Sequence, residues 1–347
     1  MEDTEALVKY IKREYSFSND TFLQDQNNCF NIAYGTDVNY QMGAAVSIAS
    51  ILVNNKNRQR KYCFHIFTNT ISAEYARRLK LISEQFDAII NIYSIDEGVL
   101  DKLPVSAIWP LSIYYRLLAF DYLSQSLNSL LYLDSDVICK NELAELEVLD
   151  LGDKFAAVIP DVESTQKKTQ QRLNIDFQNK YFNSGVILAN LKQWAENSVS
   201  DQIFSLIRNE SESGKLKYPD QDALNIVFYG RLIYLDRIYN TIYSLKSEFE
   251  YKDKGNYKNY ISSKTVLIHY TGVTKPWHEW GRYDASTYFR NIYVLTPWKN
   301  DEYLKAKTKV EYKEEYKHYL YQRCYIKALY SLFLYQKMKM FNQTVMQ

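Results

Sequence analysis

Hydrophobic positions through the middle of the chain fall in runs of strand length: Cys29–Tyr34, Tyr62–Thr68, Ala88–Ile95, Leu130–Leu133, Phe155–Ile159, Val186–Ala189, Arg231–Leu235 and Val266–His269. Between several of them the pattern changes to a helical one, over Gly43–Val53, Ser72–Phe86 and Ser112–Leu123, with Ser72 placed to cap the second helix and Glu74 in its first turn. Short apolar strands alternating with helices predict an α/β fold whose mostly parallel sheet is covered on both faces. No internal repeat interrupts the alternation. Two stretches fall outside it: an N-terminal extension over residues 1–28 and, beyond a single domain at 29–280, a tail over 281–347 that becomes rich in Lys and Tyr.

With 347 residues, 46% hydrophobic and 24% charged, the chain can bury a full-size core. Lys and Arg total 42 against 41 Asp and Glu, so no global field gathers nucleic acid, which is not expected as a partner. Cys29, Cys63, Cys139 and Cys324 show no CxxC spacing, which suits neither a disulfide framework nor a thiolate zinc site but does suit a reducing cytoplasm. The first residues carry Glu2, Asp3, Glu5, Lys9, Lys12, Arg13 and Glu14 and lack the apolar core of a secretory leader. Ala328–Tyr335 is too short to span a bilayer. A cytoplasmic protein, soluble or docked on a membrane, is expected.

The sharpest local feature is Leu130-Leu131-Tyr132-Leu133-Asp134-Ser135-Asp136-Val137, an apolar strand ending in two carboxylates. On an extended backbone the side chains of Asp134 and Asp136 share a face, and in open α/β sheets ligands bind beyond the carboxyl ends of strands. Two carboxylates without an adjacent Lys or Arg repel each other, which a divalent cation bridging to phosphate oxygens relieves. A DxD triplet by itself is equally a turn. Gly35-Thr36-Asp37-Val38-Asn39-Tyr40 follows the first strand, with an aromatic ring and polar groups suited to a base, or simply a loop into the next helix. Tyr181-Phe182-Asn183-Ser184-Gly185-Val186 and Pro219-Asp220-Gln221-Asp222 come next, the second reading equally as a helix start with acids in its first turn. His269-Tyr270-Thr271-Gly272-Val273-Thr274-Lys275-Pro276-Trp277 then pairs an imidazole at a strand end with a glycine loop and a cation.

Taken in order, Leu-Tyr-Leu-Asp-x-Asp-Val, Tyr-Phe-Asn-Ser-Gly-Val, Tyr-Pro-Asp-Gln-Asp and His-Tyr-x-Gly-x-x-Lys-Pro-Trp resemble the family 8 retaining glycosyltransferases, above all bacterial lipopolysaccharide core glucosyl- and galactosyltransferases. The resemblance runs from about Cys29 to Trp280 and continues more weakly into the tail. It implies a glycosyltransferase A-type, Rossmann-like catalytic domain at 29–280 followed by a helical C-terminal tail. It also implies that Asp134, Asp136 and His269 ligate a divalent metal, Mn2+ or Mg2+, on the donor diphosphate; a mixed carboxylate and imidazole set suits manganese better. By the same resemblance Gly35, Thr36, Asp37 and Asn39 hold uracil and ribose with Tyr40 stacked on the base, and Gly272 and Lys275 close over the diphosphate. Arg116, Asp161, Asn183, Asp220 and Gln221 surround the donor sugar, and Asp222 lies towards the acceptor. The implied activity is retaining transfer of glucose or galactose from UDP-glucose or UDP-galactose to the lipopolysaccharide outer core, forming an α-glycosidic bond, with the role of Gln221 as nucleophile or neighbour left open.

Two other readings compete. A magnesium-dependent phosphohydrolase also uses an aspartate pair after an apolar strand, but on its first strand and with Thr or Val where Ile138 stands here. A non-catalytic membrane-surface protein would act through the tail alone. From Leu304 to Met340, Lys305, Lys307, Lys309, Lys313, Lys317, Arg323, Lys327, Lys337 and Lys339 outnumber Glu311, Glu314 and Glu315, with tyrosines interleaved. This composition predicts peripheral docking on the anionic inner-membrane surface, the alternative being an ordinary terminal helix packed on the domain with the apolar residues after Tyr319 facing the core; a chain cut after about Asp301 is expected to keep its donor chemistry.

Overall fold

The computed structural model describes residues 10–18, 29–56, 60–105, 110–210, 213–251 and 255–344. Its main sheet holds eight strands: β1 (Ile11–Phe17), β2 (Phe30–Gly35), β3 (Tyr62–Thr68), β4 (Ile89–Ile95), β5 (Ser129–Leu133), β7 (Ala156–Pro160), β8 (Phe182–Asn190) and β9 (Leu232–Tyr234), in the order β1-β4-β3-β2-β5-β8-β7-β9. A second, three-stranded sheet sets β6 (Val137–Cys139) and β10 (Thr241–Ile242) on either side of β11 (Leu267–His269). Pairings β4-β3, β3-β2, β2-β5 and β7-β9 are parallel, whereas β1-β4, β5-β8 and β8-β7 are antiparallel.

Strand side chains alternate between two cores, which is why the strands read as unbroken apolar runs. Ile32, Tyr34, Phe64, Ile66, Leu131 and Leu133 face one core, shared with α1 (Gln41–Asn54) and α2 (Ala73–Phe86). Ala33, Phe67, Leu130 and Tyr132 face the other, shared with α3 (Tyr115–Leu123) and α6 (Val199–Glu210). Ser72 does cap α2, its side chain accepting from the Tyr75 N–H at 3.0 Å. Helices α4 (Glu163–Leu173), α5 (Leu191–Glu196), α7 (Pro219–Val227) and α8 (Thr287–Tyr293) complete the body.

Residues 11–17 were expected outside the α/β pattern, yet they form edge strand β1, with Tyr15 paired to Ile92. The alternation test misses them because an edge strand carries charges, here Lys12, Arg13 and Glu14, that discourage further pairing. Residues 1–9 and 19–28 of the extension lie outside the described residues.

The tail divides in two. Helix α9 (Lys309–Tyr321) starts in a capping box between Thr308 and Glu311 and packs on the domain, with Trp280, Ala306, Tyr319 and Ala328 forming a small core. Helix α10 (Tyr325–Thr344) folds back along α9 but leaves Ile326, Leu329, Tyr330, Phe333 and Met340 exposed. A cut at Asp301 is not clean: Leu304 N–H donates to Trp277 O at 3.0 Å and Leu304 O accepts from Glu279 N–H at 2.9 Å, so the main chain of the tail is bonded to the His269–Trp277 segment and its continuation. No described helix is long and apolar enough to cross a membrane.

Candidate active site

The chain leaves β5 through a turn, not on an extended backbone as the pattern suggested: Val137 N–H donates to Asp134 O at 3.1 Å. The turn still directs both carboxylates to one place, because its two ends are fixed by different sheets. Asp134 N–H bonds Gly185 O on β8 at 2.9 Å, and β6 pairs with β11 so that Val137 lies opposite His269. Asp134, Asp136 and His269 thereby converge, with ligand atoms within 4.8 Å of one another.

Protons in this cluster can be traced from backbone donors. Gly185 N–H donates to Asn183 Oδ1 at 3.0 Å, and the same oxygen accepts from Asn240 Nδ2 at 3.0 Å. Asn240 Oδ1 then faces His269 Nδ1 at 3.1 Å, so Nδ1 carries a ring proton, and in the form of the ring that binds a metal Nε2 presents a lone pair. That lone pair points at Asp136 Oδ1, 3.1 Å away, a buried oxygen with no hydrogen-bond partner among the described residues. Asp134 Oδ2 lies 3.8 Å from the same nitrogen. Acceptors gathered around a point without a donor fit a divalent cation, and Asn240 is the outer partner that orients the imidazole. Gly185 keeps the space open: a Cβ there would lie 2.3 Å from His269 Cε1 and 2.8 Å from Asp134 Oδ2.

Cations absent from the neighbouring sequence balance the carboxylates from afar. The Arg116 guanidinium, on α3, reaches Asp134 Oδ1 at 2.9 Å with Nη2 and Asp220 Oδ2 at 3.1 Å with Nε, and donates to Ser184 O. Lys275 is buried with its ammonium on Asp136 Oδ2 and, at 2.8 Å, on Tyr270 O. Burial opposes ionisation of Asp136, but the Lys275 ammonium outweighs it and holds the carboxyl below its usual range. Burial raises the carboxyls of Asp161 and Asp220, Arg116 opposing this at Asp220.

Asp161, Asn183 and Gln221 form one hydrogen-bonded group beside the cluster. Gln221 Oε1 accepts from Ser184 N–H at 3.0 Å and from Asn183 Nδ2 at 3.3 Å; its amide donates to Asp161 Oδ2 and to Tyr181 OH, both at 3.1 Å. Asp222, expected towards the acceptor, is instead fully enclosed. It takes both arms of Arg172 at 2.8 and 3.0 Å, Tyr181 OH at 2.6 Å and Tyr218 N–H at 2.9 Å, so its oxygens are spent on holding α4, β8 and α7 together.

The remaining expected residues lie at the same end of the sheet, since β2 runs parallel to β5. Gly35 N–H bonds Tyr132 OH at 3.2 Å; Thr36 is buried; and Asn39 N–H donates to Asp37 Oδ1 at 2.8 Å in the turn that opens α1. Asn39 is exposed. The Tyr40 ring meets Trp277 edge-on at 5.6 Å, with Lys275 Nζ 5.6 Å from its centre. Gly272 turns the chain after β11 at φ +87°, a left-handed conformation that suits glycine.

Sequence reasoning assigned nothing to Asn240, Arg172 or the orienting hydroxyl of Tyr181. Asn240 stands in no motif, and its role exists only because the short turn before β10 lies beside His269. Gly185 and Tyr181 stood inside a recognised stretch, but a glycine's closeness to an imidazole from another sheet is a tertiary fact.

The model of "Glycosyl transferase family 8" matches residues 31–281, and that of "Glycosyl transferase family 8 C-terminal" matches residues 283–339. The chain belongs to glycosyl transferase family 8. It is 48% identical to a lipopolysaccharide 1,2-glucosyltransferase of Escherichia coli over 91% of this chain and 93% of that protein. It is 32% identical to a lipopolysaccharide 1,3-galactosyltransferase of Salmonella typhimurium over 90% and 91%. Among solved structures it resembles the galactosyltransferase LgtC in complex with donor and acceptor sugar analogues, with a TM-score of 0.66 and 23% identity over 77% of this chain and 96% of that one. This last likeness supports the fold.

Proposed function

We propose that this family 8 member transfers a hexosyl group, glucose or galactose, from a UDP-sugar to the lipopolysaccharide core with retention of configuration, giving an α-glycosidic bond. The observation that carries the reading is the converging acceptor set of Asp134, Asp136 and His269, with a buried Asp136 oxygen left unpartnered beside a lone pair. Names of full-length relatives, glucosyl- and galactosyltransferases of lipopolysaccharide, supply the substrate class.

Those three residues would hold a divalent cation, manganese suiting the mixed set, which when bound supplies positive charge beside a diphosphate. Lys275 contributes a second buried charge at the same place, and the pair of them would offset the negative charge that grows on the departing UDP. Asp161 and Asp220 are assigned to orienting the sugar hydroxyls, and carboxylate charge there would favour the oxocarbenium character of the anomeric carbon. Gln221 has both its oxygen and its amide engaged, so we assign it to positioning Asp161 and Asn183, with attack by the acceptor from the leaving-group face. Gly35, Thr36, Asp37, Asn39 and Tyr40 are assigned to the nucleoside, the Tyr40 ring turning to the base when the Gly272–Trp277 segment moves. Water is excluded by that segment, whose Lys275 and Trp277 are buried.

The tail is assigned to an anionic membrane surface. Ile326, Leu329, Tyr330, Phe333 and Met340 follow a helical spacing on the outer face of α10, with Lys327, Lys337 and Lys339 beside them, the arrangement of an interfacial helix. Docking there would hold the active site over a lipid-anchored acceptor.

The deciding experiment is a donor screen: UDP release from a panel of UDP-sugars with and without manganese, then transfer to truncated lipopolysaccharide. Manganese-dependent turnover of UDP-glucose or UDP-galactose with a product labile to an α-glycosidase is expected. Phosphate release from sugar phosphates without transfer would overturn the reading.

A further inference from the structure

The segment that carries Lys275 is anchored by the tail. Thr274, immediately before it, is buried, and its Oγ1 accepts the Trp280 indole N–H at 3.0 Å and bonds His318 Nε2 at 2.9 Å. The other nitrogen of His318, Nδ1, bonds Tyr283 OH. His318 lies on α9, fully buried, with the Phe249 ring nearly perpendicular to its own and the ring centres 4.9 Å apart, so its plane is fixed. Burial brings its imidazole down to about 3, which keeps it neutral: one nitrogen donates and the other accepts. Hydroxyls at both ends can take either role, so both nitrogens are satisfied in either tautomer.

Further bonds run alongside. Gln322 Nε2 donates to Trp280 O at 2.8 Å, and Lys327 pairs with Glu279 at 2.6 Å, but the second is exposed and a surface pair of that kind contributes little. His318 is the bond that reaches the residue adjoining Lys275 from the tail's own helix.

We infer that His318 is a positioning residue for donor binding, holding Thr274 so that Lys275 is presented to the Asp136 site. The inference rests on the donor site proposed above. It gives the C-terminal helices a part in the chemistry besides docking: without this bond the segment after Gly272 samples more conformations, and the donor must then meet the cost of ordering it.

Three variants of the full chain test this by calorimetric UDP binding with manganese, by KM and kcat for UDP-sugar hydrolysis, and by thermal melting. In His318→Ala the UDP dissociation constant and the donor KM should rise about five- to tenfold, the scale of one buried hydrogen bond, with a smaller change in kcat. His318→Gln, whose amide can reach Thr274, should recover most of this loss. Ser331→Ala, which removes a bond between α10 and Glu315 of α9, should melt lower and bind UDP as the wild type does. A His318→Ala protein that melts lower yet binds UDP with wild-type affinity reduces His318 to a stability role and overturns the inference. If that variant does not fold, Tyr283→Phe cuts the far side of the same imidazole: weaker UDP binding there supports the inference, and unchanged binding counts against it. Wild-type protein that fails to bind UDP with manganese would overturn the donor site itself, a separate result.

Discussion

His269 Nε2 and Asp136 Oδ1 face each other at 3.1 Å, and in the metal-binding form of the ring, with its proton held on the far nitrogen by Asn240, they meet as two acceptors. Such an approach is unfavourable without something positive between the two atoms, and Gly185 keeps the adjacent space free of a side chain. Gly185→Ala should therefore act on the cluster without removing a ligand. Overpacking of this kind costs about 1–3 kcal/mol, and manganese-dependent UDP binding should weaken by roughly tenfold or more. Calorimetric titration that shows unchanged binding would remove Gly185 and the cluster from the donor site.

Asp136→Asn should abolish transfer and also lower the melting temperature. Relief of repulsion between two carboxylates, the expectation from the sequence, is outweighed because the substitution removes the carboxylate paired with the buried Lys275 ammonium and leaves neutral oxygens such as Tyr270 O against it. Breaking a buried pair costs about 3 kcal/mol, and thermal melts without metal read this directly. Melting at or above the wild-type temperature would mean Lys275 is free to leave its pocket.

Arg116→Lys should impair catalysis although the charge is kept. A lysine cannot reach Asp134, Asp220 and Ser184 O together as the guanidinium does. Loss of one charged hydrogen bond, about 2 kcal/mol, corresponds to roughly thirtyfold in kcat/KM. Steady-state hydrolysis of the UDP-sugar measures it, and activity within twofold of wild type, on the order of experimental scatter, rejects the bridging role.

Acid sensitivity follows from the buried histidines. His65 bonds Tyr93 OH and Asn31 Oδ1 at 3.0 Å inside the sheet, and burial lowers its pKa to about 3. Between this value and about 6.5 the unfolded chain binds a proton that the folded chain does not, so stability rises with pH across that window and is lost on acidification. His278 and His318, also lowered to about 3 by burial, act in the same sense. His65→Gln should flatten the dependence of unfolding free energy on pH by about 1.4 kcal/mol per unit between pH 4 and 6. Denaturant titrations at several pH values test the slope, and parallel curves for the two proteins would contradict it.

Ile326→Asp combined with Phe333→Asp should release the protein from anionic vesicles while sparing UDP-sugar hydrolysis, since both side chains are exposed on α10. Added salt should weaken wild-type binding in the same assay, as each Lys near the surface contributes about 1 kcal/mol that salt screens. Vesicle co-sedimentation that persists in the double variant would assign docking elsewhere.

Much of the site was legible because strand ends announce themselves: an apolar run that stops at Asp134 or His269 delivers its last polar residue to the sheet edge. Arg172, Asn240 and His318 were not legible as parts of it, each lying in an unremarkable stretch. Their roles depend on contacts spanning 50, 29 and 44 residues, to Asp222, His269 and Thr274 respectively.

By itself the sequence determined the α/β class, the positions of the main-sheet strands β2 to β9 and of β11, though not of the short β6 and β10, and the four ordered stretches that mark the family, because hydrophobic period and motif order are local properties. Tertiary structure decided the rest. It made residues 11–17 an edge strand, enclosed Asp222, paired the aspartates with cations from α3 and from the segment after β11, and tied α9 to Thr274. Each of these is a contact between elements remote in the chain, formed where buried charges and polar groups must find partners, and no local pattern encodes which partner the fold will bring.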